Sequence, residues 1–465
     1  MKIYNIVYVA AVLLLLSNCG KQSTLVTYPA IDGLQTSDVY TVTVNGEPVW
    51  TEKLRTDFDL ESLPDWFTGS DYVNRQQEVH ISNFSSKGPI SVKLDLSEPV
   101  DSVSIHPLSR GIQPAIDGQS ISFELPGPDK LYIKVNELPP LCFFANPLET
   151  EVPDSTDANV TWFGPGVHRP GMMYPESGST IYIAGGAIVY GGIETDGQSN
   201  IRVLGRGILD GNFEYGRMVK PENSTNLEFN GIITRNGRGW TNTIINCDSV
   251  VYENVKVIAF RPGGDGINPL NSRHVKINNC FLRCTDDCIA IKAPDTEIPS
   301  YNIRVTNNTM VGFAYSDGCT IGFETNAPSI SDVLVKNCDV IQARGGSRVD
   351  GHSAFSIICD GPAKIHDIRY EDIRVEEDVL KLFELHITDG TKYGVNPPGH
   401  IQDVHLKNIS WDSERPIVLF GYDEAHMVKN VTFENCTVAG KPLTEAREDI
   451  LQINEYVENV NFSQK

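Results

Sequence analysis

Down the C-terminal two-thirds of the chain, apolar and polar residues alternate in short runs of one form, (N/D/H/S)-V-x-V-x-N. The copies read "NIRVLG" at 200, "SVVYENVKV" at 249, "HVKINNCFL" at 274, "NIRVTNNTM" at 302, "DVLVKNCDV" at 332, "DIRYEDIRV" at 367, "DVHLKNISW" at 403 and "NVTFENCTV" at 430. From 249 onward their starts lie 25 to 36 residues apart. Alternation with period two marks a strand with one buried face. Each run is too short to bury that face alone, whereas copies stacked in parallel about 4.8 Å apart bury one continuous core. The pattern therefore predicts a parallel β-helix with one coil per repeat. Asn279, Asn337 and Asn435 fall at the same place in their copies, followed by Cys280, Cys338 and Cys436. This predicts an Asn ladder that satisfies turn backbone, with small buried thiols beside it.

Residues from about Tyr28 to Asn146 alternate differently, in strands such as "VYTVTVNGEPVW", "EVHISNF", "SVKLDL", "SISFEL" and "KLYIKVN", joined by turns at Asn45-Gly46 and Asp117-Gly118. This is the pattern of a small β-sandwich. The Pro-rich, acidic segment "ANPLETEVPDSTDANV" marks its end, before a helix that starts near "WFGPGVHRPG". At the N-terminus, "MKIYNIVYVAAVLLLLSNCGKQ" has one early Lys, an apolar run and then a Cys, the form of a signal peptide ending in a lipobox. The expected organisation is all-β: a lipoprotein signal peptide over 1–19, a β-sandwich over 20–152 and a right-handed parallel β-helix over 153–465. Cys19 is the expected lipidation site, which places the protein in a bacterial cell envelope, periplasmic or surface-exposed, with no membrane contact beyond that anchor.

Composition changes this picture in two respects. Sixty acidic residues against 38 basic ones give a formal charge of −22. Nucleic acid binding depends on clustered Lys and Arg, so this balance excludes it as a partner class. The nine cysteines after Cys19 form no CxxC pair, so neither a disulfide framework nor a zinc site is signalled. Cys280, Cys284 and Cys288 recur every four residues but lie in strand and turn sequence, as buried fillers.

Candidate chemistry lies in "GGDGINPLNSRHVKINNCFLRCTDDCIAIKAP", residues 263–294. Asp265 precedes Asp286 by 21 residues, close to one coil, so Asp265, Asp286 and Asp287 should share one side of neighbouring coils. Clustered carboxylates on the long face of a solenoid can bind a cation, raise one another's pKa, or flank a bond to be hydrolysed. As isolated motifs, Gly-Asp-Gly and Thr-Asp-Asp are also ordinary turn sequences. Trp240 in "NGRGWTNT" is either a sugar-stacking platform or a core aromatic. Lys292, which follows the paired aspartates by alternation, either faces the cleft or is solvated. His168 and His352 stand in Gly-containing turns and read as structural. Inserts near 211–230 and 386–400 could close one end of the groove.

The order "GGD", "TDDCIAIK" and then "DGCTIGF" on the next coil resembles the glycoside hydrolase clan of the polygalacturonases (family 28) and of dextranase and isopullulanase (family 49). The likeness of the helix covers roughly residues 160–440. The N-terminal domain, with "SVSIHPLSRGI" and "LCFFANPLE", resembles the accessory domain of the dextranase branch. The resemblance implies inverting hydrolysis of an α-glycosidic bond in a polysaccharide or oligosaccharide by carboxylates alone, with Asp286 as general acid, Asp265 and Asp287 activating water, and no metal or other cofactor. In polygalacturonases a histidine stands where this chain has Asp317, and an RIK element follows that is absent here, its nearest candidate being Arg348 in "SRVDGH". Asp317, Lys292, Arg348 and Trp240 are the expected substrate-binding residues, and the loss of basic groups points to a neutral glycan. Two rivals share the fold: a calcium-dependent lyase using Lys292 or Arg283 as base, and a glycan-binding lipoprotein without catalysis.

Overall fold

A computed structural model describes residues 25–56, 77–344, 353–376, 379–389, 391, 393–395 and 398–464. Cys19, Arg348 and His352 lie outside the described residues.

The N-terminal domain is a sandwich of two sheets. One runs in the order Gln35–Thr36, Thr51–Arg55, Glu78–Ser86, Leu141–Pro147, Lys130–Val135 and Val103–His106, with Leu25–Thr27 on the free edge of Glu78–Ser86. The other has the order Glu47–Val49, Tyr40–Val44, Ile90–Leu96, Ser120–Leu125 and Ala115–Asp117. "ISVKLDL" shows why: its Ile90, Val92, Leu94 and Leu96 are buried, and the residues between them face outward. Asn45 and Gly46 turn the Tyr40–Val44 hairpin with φ of 52° and 83°, both left-handed, as a tight two-residue turn requires.

From Val160 onward the chain is a single sheet of 31 strands wound into a right-handed parallel β-helix. A typical coil has three strands, as in Arg273–Asn278, Phe281–Cys284 and Ile289–Ala293. Val250, Val275, Ile303, Val333, Ile368, Val404, Val431 and Val460 pair in succession, one per coil, down the first strand. These are the apolar positions of the repeat, and with their neighbours they make one core running from Ile181 to Ile450. The coil between the copies at 200 and 249, not evident in the sequence, is supplied by Thr225–Asn230, where "NLEF" replaces V-x-V. The stretch 211–230 is therefore coil, with strands Val219–Glu222 and Thr225–Asn230, rather than an insert.

The first turn of each coil explains the repeated asparagine. Asn254, Asn279, Asn307, Asn337, Asp372, Asn408 and Asn435 all hold φ between 50° and 59°, the left-handed region that Asn and Asp tolerate best after Gly. Their side chains make rungs: Asn337 donates to Asn307 at 2.7 Å, Asn408 to Asp372 at 2.7 Å and Asn435 to Asn408 at 2.8 Å. Nine cysteines in the described residues are buried free thiols.

The sandwich lies along the second strand of successive coils. Ile81, Tyr132, Cys142 and Phe144 share a core with Ile208, Ile233, Ile258, Phe281, Val311 and Ile341. Polar contacts extend this seam: Arg235 binds Glu52 at 2.8 Å and Asp210 at 2.7 Å, Lys256 donates to Asn146 at 2.7 Å, Lys130 to Asn279 at 2.7 Å, and His106 pairs with Glu376 at 2.7 Å.

Candidate active site

The turn between second and third strands lies at the edge of this seam, and successive turns stack. Extending the register Ile267↔Ile289↔Cys319 back by two residues puts Asp265, Asp287 and Asp317 on one rung of three adjacent coils. Backbone bonds hold the rung: Gly266 N–H donates to Asp287 O at 2.9 Å, and Cys288 N–H to Asp317 O at 3.0 Å. Thr241 N–H donates to Asp265 O at 2.9 Å and so joins the coil of Trp240 to the same stack. Asp286 stands one residue earlier on its coil. From Phe281 to Ala293 every residue is buried except Asp286 and Asp287, which are half-buried. Those two carboxylates are the part of this coil that keeps exposed surface.

Asp265 is almost wholly enclosed. Its Oδ2 accepts from Asn268 Nδ2 at 2.8 Å, and its Oδ1 has no donor among the described residues. Asp287 Oδ1 accepts from the Asp317 N–H at 3.0 Å, and the Asp287 N–H donates to Asp286 Oδ1 at 3.1 Å. Burial first, and then repulsion from Asp286, raise Asp287 from 3.8 to about 8, with Lys292 acting against them. Burial, with repulsion from Asp286 and Asp287, also raises Asp265 well above its ordinary value. Carboxylates this crowded titrate as a unit, so the cluster keeps a proton near neutrality.

The structure places the remaining candidates as follows. Asp317 has no exposed surface; its oxygens accept from Ser353 N–H at 2.8 Å and from the Ser356 hydroxyl. A carboxylate so enclosed cannot touch substrate, and its link to the site runs through its own N–H on Asp287. Lys292 is 5% exposed rather than solvated, and its Nζ donates to Glu324 Oε2 at 2.8 Å. Trp240 is half-buried, with the Arg217 guanidinium 4.9 Å and the Lys292 Nζ 5.1 Å from its ring centre. His168 donates from Nε2 to Gly164 O over 2.7 Å within its own turn.

Sequence reasoning missed Arg217 and Glu324. Arg217 precedes Trp240 by 23 residues, one coil, and that spacing was a readable signal. Glu324 had none, because it sits in a bulge that breaks the repeat. Among the described residues, Asp38, Glu78 and His80 bring potential metal-ligand atoms within 4.8 Å of one another, but Lys53 Nζ already occupies that position, 2.8 Å from Asp38 and 3.6 Å from Glu78.

With a carboxylate cluster of this kind on adjoining coils of a β-helix, a comparison with known families becomes decisive. The model of the glycosyl hydrolases family 28 matches residues 177–455. The chain belongs to this family. Among curated relatives of this family 28 chain, a probable exopolygalacturonase B of Emericella nidulans is 24% identical over 210 residues, 39% of this chain and 45% of the relative. The endo-polygalacturonase of Pectobacterium carotovorum subsp. carotovorum is 26% identical over 171 residues, 37% and 39% of the two chains. The match thus spans less than half the length of these relatives. Dex49A from Penicillium minioluteum shares the fold over 94% of this chain and 96% of its own, with a TM-score of 0.65 at 15% identity. An exopolygalacturonase from Thermotoga maritima does so over 65% and 83%, with a TM-score of 0.53 at 15% identity. The family 28 match begins inside the helix, whereas the likeness to Dex49A takes in the sandwich as well.

Proposed function

We propose that the protein is an inverting glycoside hydrolase that cleaves α-glycosidic bonds of a polysaccharide or oligosaccharide. The observation that carries this reading is the cluster itself: Asp286 and Asp287 keep exposed surface, and Asp265, on the rung of Asp287, has one oxygen that no donor among the described residues claims. Asp286 protonates the glycosidic oxygen as its bond to the anomeric carbon breaks. Asp265 and Asp287 take a proton from the water that attacks that carbon from the opposite side. A cluster that holds a proton and also has an ionised carboxylate supplies both roles at once. Replacing Asp286 by Asn tests this: turnover should fall by about 10² to 10⁴ with the fold intact, and a loss below about tenfold removes Asp286 from the mechanism.

The charge of the substrate is read from what faces the cleft. A neutral, dextran-like glycan was expected from the loss of basic groups, with Asp317 in place of a histidine, but Asp317 is enclosed and presents no charge to a substrate. Exposed Arg217 lies against Trp240, and exposed Arg238 stands on the same turn as Trp240. Guanidinium groups suit carboxylates. They favour an acidic glycan of the kind named in the polygalacturonase relatives, with the neutral glycan as the rival. Release of reducing ends from homogalacturonan, dextran, pullulan and galactan under one set of conditions separates the two. A lyase would require Lys292 or Arg283 as its base, but Lys292 is tied to Glu324 and Arg283 is fully buried over the Phe313 ring; a lyase product would absorb in the ultraviolet. A binding protein would release no reducing ends.

Anchoring at Cys19 in a bacterial envelope is part of the same proposal. Expressed in a Gram-negative host, the chain should incorporate labelled palmitate and sediment with membranes, and Cys19→Ser should abolish both.

A further inference from the structure

The third strands of two adjacent coils lose register beside the site. Ile291 pairs with Ile321 and Ala293 with Thr325, so the single residue Lys292 faces three, Gly322, Phe323 and Glu324. A bulge adds residues to one strand and re-aims side chains, and bulges gather next to active sites. This one is built in. Gly322 has φ 106° and a Cβ there would lie 2.1 Å from Ile358 O, so no other residue fits. Glu324 has φ 57°, uncommon for a residue of its size. The bulge carries Phe323 outward to Tyr393, with ring centres 5.9 Å apart, and turns Glu324 onto the Lys292 Nζ.

Lys292 is consequently a charged, nearly enclosed ammonium with Glu324 on one side and the Trp240 ring 5.1 Å away. It lies close enough to Asp265 and Asp287 to favour their ionised forms. The other titratable groups facing these two aspartates are Asp286, Asp317, Glu324 and the thiols of Cys284 and Cys319. Among the described residues, Lys292 is the cation that acts on both aspartates.

We propose that the bulge at Gly322–Glu324 fixes Lys292 against the carboxylate cluster, so that Lys292 and Glu324 are a positioning pair that sets how many of the aspartates are ionised when water attacks. Neither residue has to touch substrate. The inference rests on the hydrolase reading for its purpose but not for its test, which needs no turnover. Protein labelled with ¹³C at the Asp carboxyl carbons is titrated by NMR, with Asp265→Asn and Asp287→Asn used to assign the signals. Removing the cation in Lys292→Met should move the Asp287 midpoint up by about one pH unit or more, the effect of an opposite charge at close range. Removing the anion in Glu324→Gln should move it down. Lys292→Arg should keep it near the wild-type value. Midpoints unmoved in Lys292→Met, or shifts of the same sign in Lys292→Met and Glu324→Gln, overturn the proposal. If Lys292→Met does not fold, the downward shift in Glu324→Gln decides alone. An active Asp286→Asn enzyme would defeat the hydrolase mechanism and leave this titration standing.

Discussion

Replacing Asp287 by Asn should make the protein more stable at neutral pH while disabling it. The Asp287 carboxyl ionises near 3.8 in an unfolded chain but is raised to about 8 in the fold. Between those values the folded protein holds a proton that the unfolded chain has released, so stability falls as pH rises through that window. Below 3.8 both states are protonated and nothing is lost. At about 1.4 kcal/mol per pH unit, the fall from 3.8 to pH 7 amounts to roughly 4 kcal/mol. Asp265 and Asp286 share the same protons and keep part of that cost when Asp287 alone is removed, so a gain of about 1–2 kcal/mol is expected. Asn keeps the oxygen that accepts from the Asp317 N–H, and no backbone bond is given up. Thermal unfolding followed by near-ultraviolet dichroism at pH 4 and pH 7.5 reads this directly. The variant should melt above the wild type at pH 7.5, with the gap closing at pH 4. A variant that melts lower at pH 7.5, or by the same margin at both values, would show that the site is not strained by its charges.

Three further outcomes follow from the geometry. Arg217→Ala should raise KM for homogalacturonan several-fold, by about 1 kcal/mol, and leave a neutral α-glucan untouched; equal effects on both would separate Arg217 from substrate charge. NMR of product formed from an α-linked substrate should show β-anomer first, and initial α-anomer would exclude inversion. Arg235→Met should cost about 3–5 kcal/mol, because Glu52 and Asp210 would be left as buried, unpaired carboxylates; an unchanged melting temperature would count against this account of the seam.

Much of the helix was legible because its information is periodic. Val250, Val275 and Ile303 recur at strand alternation and coil spacing, and Asn279, Asn337 and Asn435 mark the left-handed turn by residue type alone. The coil at 226 escaped because Leu227 and Phe229 fill the core in place of the usual β-branched pair. The aspartates could be grouped from spacing, but the register shows Asp287, not Asp286, on the rung of Asp265. Asp317 misled because its place in the signature, where polygalacturonases carry a histidine, reads as substrate-facing, while a neighbouring coil supplies Ser353 and Ser356 to enclose it. Glu324 was invisible for a related reason: a bulge is a departure from the period that makes the rest readable. The buried Lys256 and Arg235 depend on partners more than 100 residues away, which no local pattern encodes.

A solenoid whose coils touch only their neighbours can in principle fray from either end, one turn at a time. Here the sandwich is laid across the stack like a splint, fastened at Arg206 through Asn83, at Arg235, Lys256 and Asn279, and again at Asp339 and Glu376. Between the first and last of those fastenings lie the coils that carry Trp240, Asp265, Asp286 and Asp287. A coil in that span cannot peel away without also tearing several others from a shared brace. Fraying should therefore be confined to the ends of the spiral, and the acid cluster sits in the stretch held most cooperatively.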